Sequence, residues 1–79
     1  MFNVTFITPT SQRVVSVSWL ECETPAGNLI IQTGHTPLIT ILKPYSELRF
    51  ENEHGTIEAI EVPGGLAEIR RTSALIIID

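Results

Sequence analysis

Turn-forming residues punctuate this chain about every eight to ten positions, and that spacing leaves room only for an architecture of short strands. Thr8-Pro9-Thr10-Ser11, Thr24-Pro25-Ala26-Gly27, Gly34-His35-Thr36-Pro37, Glu53-His54-Gly55, Pro63-Gly64-Gly65 and Arg70-Arg71-Thr72-Ser73 each interrupt an apolar or alternating run. Only glycine takes positive φ freely, and proline fixes φ near about −65°, so these clusters turn the chain rather than extend it. No stretch between them carries the 3.6-residue period of an amphipathic helix.

The runs themselves alternate. Phe2, Val4 and Phe6 fall on one face of a strand, with Asn3, Thr5 and Ile7 on the other. From Arg13 to Glu23 the phase first groups Val15 with Val17, then Leu20 with Cys22. That slip near Ser18-Trp19 predicts a bulge, because one extra residue in a strand sends every later side chain to the opposite face. Leu29 and Ile31 carry the next strand, and Leu38 to Leu42 another. Ser46 to Glu51 points Leu48 and Phe50 inward and Glu47, Arg49 and Glu51 outward. Ile60 and Val62 share a face with Glu58, Leu66 to Ile69 follows, and Ala74 to Ile78 closes the chain. The last strand is apolar at every position, so it belongs at the centre of a sheet or under cover on both faces. Eight to ten short strands in sequence read as an all-β sandwich or barrel.

With 79 residues and neither an internal repeat nor a linker-like composition, residues 1–79 form a single domain. A hydrophobic content of 43% against 18% charged residues is that of a folded chain. The net charge is −4, and the five basic residues, Arg13, Lys43, Arg49, Arg70 and Arg71, are scattered apart from one adjacent pair. Nucleic acid is therefore not expected as a partner, since counterion release needs several cations on one face. Anionic lipid is disfavoured on the same grounds, and the run Ala74 to Ile78 falls far short of the about 20 apolar residues of a spanning helix. The start Met-Phe-Asn-Val lacks the regions of a signal peptide, and the single cysteine has no intramolecular partner, so a reducing cytoplasm is expected.

Catalytic patterns are missing. His35, His54 and Cys22 are far apart in sequence, without metal-ligand spacing, and Cys22 shares a face with Leu20, the position of a buried, inert thiol. Glu47, Glu51, Glu58 and Glu61 sit at alternating strand positions, where a solvated face is the usual cause, and a domain this small offers no cleft for paired acid–base work. Pro63-Gly64-Gly65 precedes no helix and no Lys-Ser/Thr pair, so it reads as a turn or bulge and not as a phosphate loop. No metal, cofactor or catalytic residue is assigned. The polar corner Gly34-His35-Thr36-Pro37 remains, and chemistry alone favours a histidine that shapes its own loop.

The stretch Gly27-Asn28-Leu29-Ile30-Ile31-Gln32-Thr33-Gly34-His35-Thr36-Pro37-Leu38-Ile39-Thr40-Ile41-Leu42-Lys43-Pro44 resembles the signature of the epsilon subunit of F-type ATP synthases, called delta in mitochondria. In that family Gly-Glu-Phe/Leu-Gly-Ile is followed by Pro-Gly-His-Ala-Pro-Leu and a strand ending in Lys-Pro-Gly. Gly64-Gly65-Leu66-Ala67-Glu68-Ile69 and Ala74 to Asp79 are similar to its two later blocks. The resemblance implies the family's amino-terminal domain, a two-sheet β-sandwich of about ten short strands. It also implies a non-catalytic central-stalk (rotor) subunit that binds gamma and the c-ring and couples proton or sodium-ion flow to ATP synthesis, with no cofactor. Such a subunit is peripheral on the cytoplasmic face of the bacterial inner membrane and meets the membrane only through its complex.

Carried over by position, the resemblance places Thr8, His35 and Thr40 on the gamma side and Asn28, where the family is often acidic, near the c-ring; Leu29 and Thr36 lie beside them in the same interface. Ile30 replaces a preferred glycine, which implies a straighter strand, and Tyr45 replaces the glycine after Lys43-Pro44, which puts the family's turn type in question. Family members commonly continue into a two-helix hairpin that inhibits ATP hydrolysis and in some binds ATP; neither property is expected if 79 residues is the natural length, and nothing follows if it is not. The alternative is a free-standing β-sandwich adaptor using the same corner for another protein.

Overall fold

The computed structural model describes residues 1–79 and is β throughout. Eight strands follow in chain order: β1 (Phe2–Ile7), β2 (Gln12–Thr24), β3 (Gly27–Ile31), β4 (Leu38–Leu42), β5 (Ser46–Asn52), β6 (Ile57–Val62), β7 (Gly65–Ile69) and β8 (Ser73–Ile78). They make one hydrogen-bonded sheet in the order β4-β7-β8-β1-β2-β5-β6, with β3 added beside β2. All pairings are antiparallel except β1 with β8.

The 13-residue β2 explains how one sheet becomes two layers. Its first half pairs with β1, its second half with β3 and β5, and its register against β5 shifts between Val17 and Trp19. This is the bulge that the slip from Val15/Val17 to Leu20/Cys22 predicts. The extra residue bends the strand, and the sheet folds over it. One layer then holds β4, β7, β8, β1 and the start of β2; the other holds β3, the end of β2, β5 and β6. The expected count of about ten strands becomes eight because β2 serves both layers. β8 lies centrally, between β7 and β1, as its apolar sequence requires.

Sixteen buried apolar side chains fill the space between the layers. Phe6 of β1 meets Phe50 of β5 with ring centroids 5.2 Å apart, and the guanidinium of Arg13 lies 5.8 Å from the centre of the Phe50 ring. Arg13 goes on to grip Glu58 of β6 at 2.8 and 3.1 Å, so a charged clasp closes the open side of the sandwich above its aromatic centre. The turns follow their glycines: Gly27, Gly34 and Gly55 have φ of 124°, 87° and 78°. Tyr45 also adopts positive φ, 55°, so the turn after Lys43-Pro44 keeps the geometry expected of glycine despite the substitution. Ser46 Oγ donates to the Lys43 carbonyl at 2.6 Å and helps hold it there. Gly65 has a different reason: a Cβ at that position would fall on the carbonyl oxygen of Ile77 in the neighbouring strand.

Candidate protein-interaction surface

The polar corner between β3 and β4 is held by one backbone bond to the neighbouring β7–β8 turn and one within the corner itself. The Gly34 amide donates to the Arg71 carbonyl at 2.7 Å, and the His35 amide to the Gln32 carbonyl at 3.1 Å. The first bond docks the corner on the turn between β7 and β8. His35 Nδ1 lies 2.6 Å from the Thr36 carbonyl, which fixes the ring as the Nδ1–H tautomer donating to its own loop. Nε2 stays uncommitted within the chain.

The six residues carried over from the family do not form one patch. Asn28, Leu29 and Thr40 line a small cleft together with Thr24, Ala26, Gly27 and Leu38, between the β2–β3 turn and β4. His35 and Thr36 are adjacent at the corner. Thr8 stands apart, in the β1–β2 turn, where its Oγ1 accepts the Ser11 amide at 3.0 Å. Ile7, just before it, pairs with Ile77 near the end of β8, whereas the corner meets the chain just before β8 begins. The length of a six-residue strand, roughly 20 Å, therefore separates Thr8 from His35.

Asn28 has cross-strand partners that the sequence pattern does not name. Its Nδ2 donates to Glu23 Oε1 at 2.8 Å and to Glu21 Oε2 at 3.2 Å. A carboxylate at position 28 would face two others across the β2–β3 ladder; the amide supplies donors instead, and the acidic character of this corner rests on Glu21 and Glu23. Between them, the Cys22 thiol is buried and its pKa is pushed up to about 11, first by burial and then by Glu23 and Glu21. It stays protonated and unreactive at neutral pH.

A second surface lies outside the six residues above. Ile41 on β4 is the direct partner of Leu66 on β7, Leu66 of Ile77 on β8, and Ile77 of Ile7 on β1. An unbroken aliphatic row thus crosses four strands on the outer side of the first layer, with Ile41, Leu66 and Ile77 exposed to 60, 38 and 40%. Ile39, 65% exposed, heads the next row, which runs through Glu68 and Leu75 to Thr5. Glu68 is paired with Arg70, whose Nε donates to it at 2.7 Å, so the face carries little net charge. Contiguous apolar surface of this kind marks an interaction site. The signal was present in the sequence: β4 and β8 are apolar at positions of both parities, and a strand with only one face on the core must then show aliphatics outward.

No group of three or more His, Cys, Asp or Glu side chains is placed to hold a metal ion. The family model for the β-sandwich domain of the ATP synthase delta/epsilon chain matches residues 1–79. The ATP synthase epsilon chain of Psychrobacter arcticus is 36% identical over 63 residues, which are 80% of this chain and 45% of that one. The epsilon chain of Psychrobacter sp. strain PRwf-1 is 38% identical over the same shares. The chain thus spans about half the length of the curated relatives it matches.

Among solved structures, the chain matches the mitochondrial ATP synthase of Euglena gracilis, in an assembly of OSCP, F1 and c-ring, with a TM-score of 0.84 and 20% identity over 98% of this chain and 49% of that one. The central stalk and c-ring structure of the Tetrahymena thermophila mitochondrial enzyme gives 0.82 and 18% over 98% and 62%. At those identities the structures speak to the fold, and the family rests on the sequence match: this chain belongs to the delta/epsilon chain β-sandwich domain family of ATP synthases.

Proposed function

We propose that the domain is a non-catalytic part of the central stalk of an F-type ATP synthase, bound to gamma and to the c-ring, where it helps couple proton or sodium-ion flow to ATP synthesis. The observation that carries this reading is the uncovered row Ile7, Ile77, Leu66 and Ile41 on a domain of that family. Gamma covers this outer face, with the corner at His35 and Thr36 on its rim. The Asn28 and Leu29 side of the cleft, with Glu21 and Glu23 beside it, turns toward the ring, and Thr40 on its β4 side turns toward gamma. Thr8 meets gamma from the far end of the same layer. The complex sits at the membrane while the domain touches only protein.

A rigid sandwich suits a load-bearing part, because displacing one strand means breaking the ladders it shares with its neighbours. Association with gamma is driven by withdrawal of the aliphatic row from water, at about 25 cal/mol per Å² before the losses of binding are subtracted. The test is co-purification with the gamma subunit encoded in the same genome. Stable association at micromolar concentration is expected, and a well-folded chain that shows none contradicts the proposal. His35→Ala is expected to weaken gamma binding several-fold with Tm nearly unchanged; a fall in Tm with binding intact would make His35 purely a loop-shaping residue.

A further inference from the structure

The outer face accounts for the side chains of β4 but not for its backbone. β4 ends the sheet order, so one of its edges has β7 and the other has no strand. One bond reveals which residues point to the open side: the Lys43 amide, just past β4, donates to the Glu23 carbonyl at the end of β2 at 2.9 Å. Amide and carbonyl of one residue point the same way in a strand and alternate along it, so Ile41 and Ile39 present theirs to the open edge as well. Neither residue takes part in the backbone bonds outside the ladders, and the only internal partner on that side is Thr40 Oγ1, which approaches the Ile41 carbonyl at 3.3 Å.

Within the strand this edge also lacks the usual protection. The other end of the sheet, β6, carries Glu58 and Glu61 and is followed by Pro63. β4, Leu-Ile-Thr-Ile-Leu, is bounded by Pro37 and by Lys43-Pro44 but has no charge and no proline between them, and its most exposed side chains are Ile39 and Ile41. Exposed apolar edges without such guards template the addition of a further strand. The single bond to the Glu23 carbonyl starts that pairing at Lys43, and beyond it the β2–β3 turn faces β4 across a cleft, leaving the backbone of Ile41 and Ile39 without a ladder partner on that side.

We infer that an extended segment of the stalk partner adds to the sheet along the open edge of β4, pairing with the backbone of Ile39 and Ile41. The inference rests on the proposed stalk role and specifies how the partner is held: by main-chain hydrogen bonds at the edge, continuous with the apolar face beside it. A partner attached this way is fixed in register, which a flat apolar contact alone does not ensure.

Amide hydrogen exchange on the unchanged chain, free and bound to its gamma subunit, tests the inference. The amides of Ile39 and Ile41 are expected to exchange fast in the free chain and to slow by at least about a hundredfold in the complex, as ladder amides do. Ile41→Pro removes one of these donors without breaking an internal bond; it is expected to keep the fold and to bind gamma about tenfold more weakly than Ile41→Val, which also trims the side chain but keeps the amide. Fast exchange at both amides in a formed complex overturns the edge inference and leaves the stalk role standing. Absence of any gamma complex overturns both. Protection that rises with the concentration of the chain alone assigns the edge to a second copy and also overturns the inference.

Discussion

The two outer faces of the sandwich obey the same alternation and finish it in opposite ways. On the second layer the outward positions of β2 and β5 carry Glu21, Glu47, Arg49 and Glu51; Arg49 lies 3.6 Å from Glu47 and 4.0 Å from Glu21, and Ser18 Oγ donates to Glu51 at 2.6 Å. Exposed aliphatics there, Ile30 and Ile57, line one shallow depression with Trp19, where Glu21, Gln32 and Arg49 interleave with them. On the first layer the outward row is Ile41, Leu66, Ile77 and Ile7, with the Glu68–Arg70 pair beside it. Both faces are compatible with the same core. What differs is what each shows outward: charged side chains around a small apolar depression in one case, an unbroken aliphatic row in the other.

The largest expected effect lies beneath both faces and should not distinguish them. Gly65→Ala forces a Cβ against the Ile77 carbonyl at the β7–β8 ladder and is expected to destabilise the domain by about 3 kcal/mol, lowering the midpoint of one cooperative denaturant transition. Two separate transitions would mean that the layers are independent. The comparison itself is tested next by matched charges. Ile41→Glu on the first layer is expected to leave stability within about 1 kcal/mol, because the side chain is exposed, and to reduce gamma binding at least about tenfold. Ile57→Glu on the second layer is expected to change neither. Equal losses from the two substitutions would erase the distinction between the faces.

Smaller effects concern how the frame is held. Tyr45→Gly relieves a left-handed conformation at a side chain 80% exposed, and chemical denaturation is expected to show a gain of about 0.5–1 kcal/mol. The smallest is the Arg13–Glu58 clasp. Glu58 is held below its ordinary value of 4.5, first by the hydrogen bond from Arg13 and then by that from Asn52. A depressed carboxylate contributes stability above that ordinary value and loses it as pH falls through the lower folded value. Glu58→Gln is therefore expected to flatten the loss of stability with acid below about pH 4.5 and to leave the slope near neutrality unchanged, as Tm measured across that range would show.

Much of this fold was legible because side-chain phase reports directly on which face of a strand is inward. The switch from Val15/Val17 to Leu20/Cys22 located the bulge, Leu48 and Phe50 declared the inner face of β5, and the uniformly apolar β8 declared its central place. Phase does not report on which strands are neighbours. The double service of β2, and hence eight strands in place of about ten, lies in the pairing and not in the alternation. The same gap hid the row Ile41-Leu66-Ile77, whose members are far apart in sequence and become adjacent only through register. It also hid the partners of Asn28, which are one strand away. Tyr45 shows a different boundary: a turn closed by proline and by Ser46 can impose positive φ on a residue that disfavours it.

The distinction between the two faces is tested most directly by mapping side-chain protection in the complex of this chain with its gamma subunit, by hydroxyl-radical labelling read residue by residue. Ile39, Ile41, Leu66 and Ile77 are expected to lose their reactivity on binding, while Ile30 and Ile57 keep theirs. Protection of Ile30 and Ile57 with the first-layer row still reactive would contradict the account.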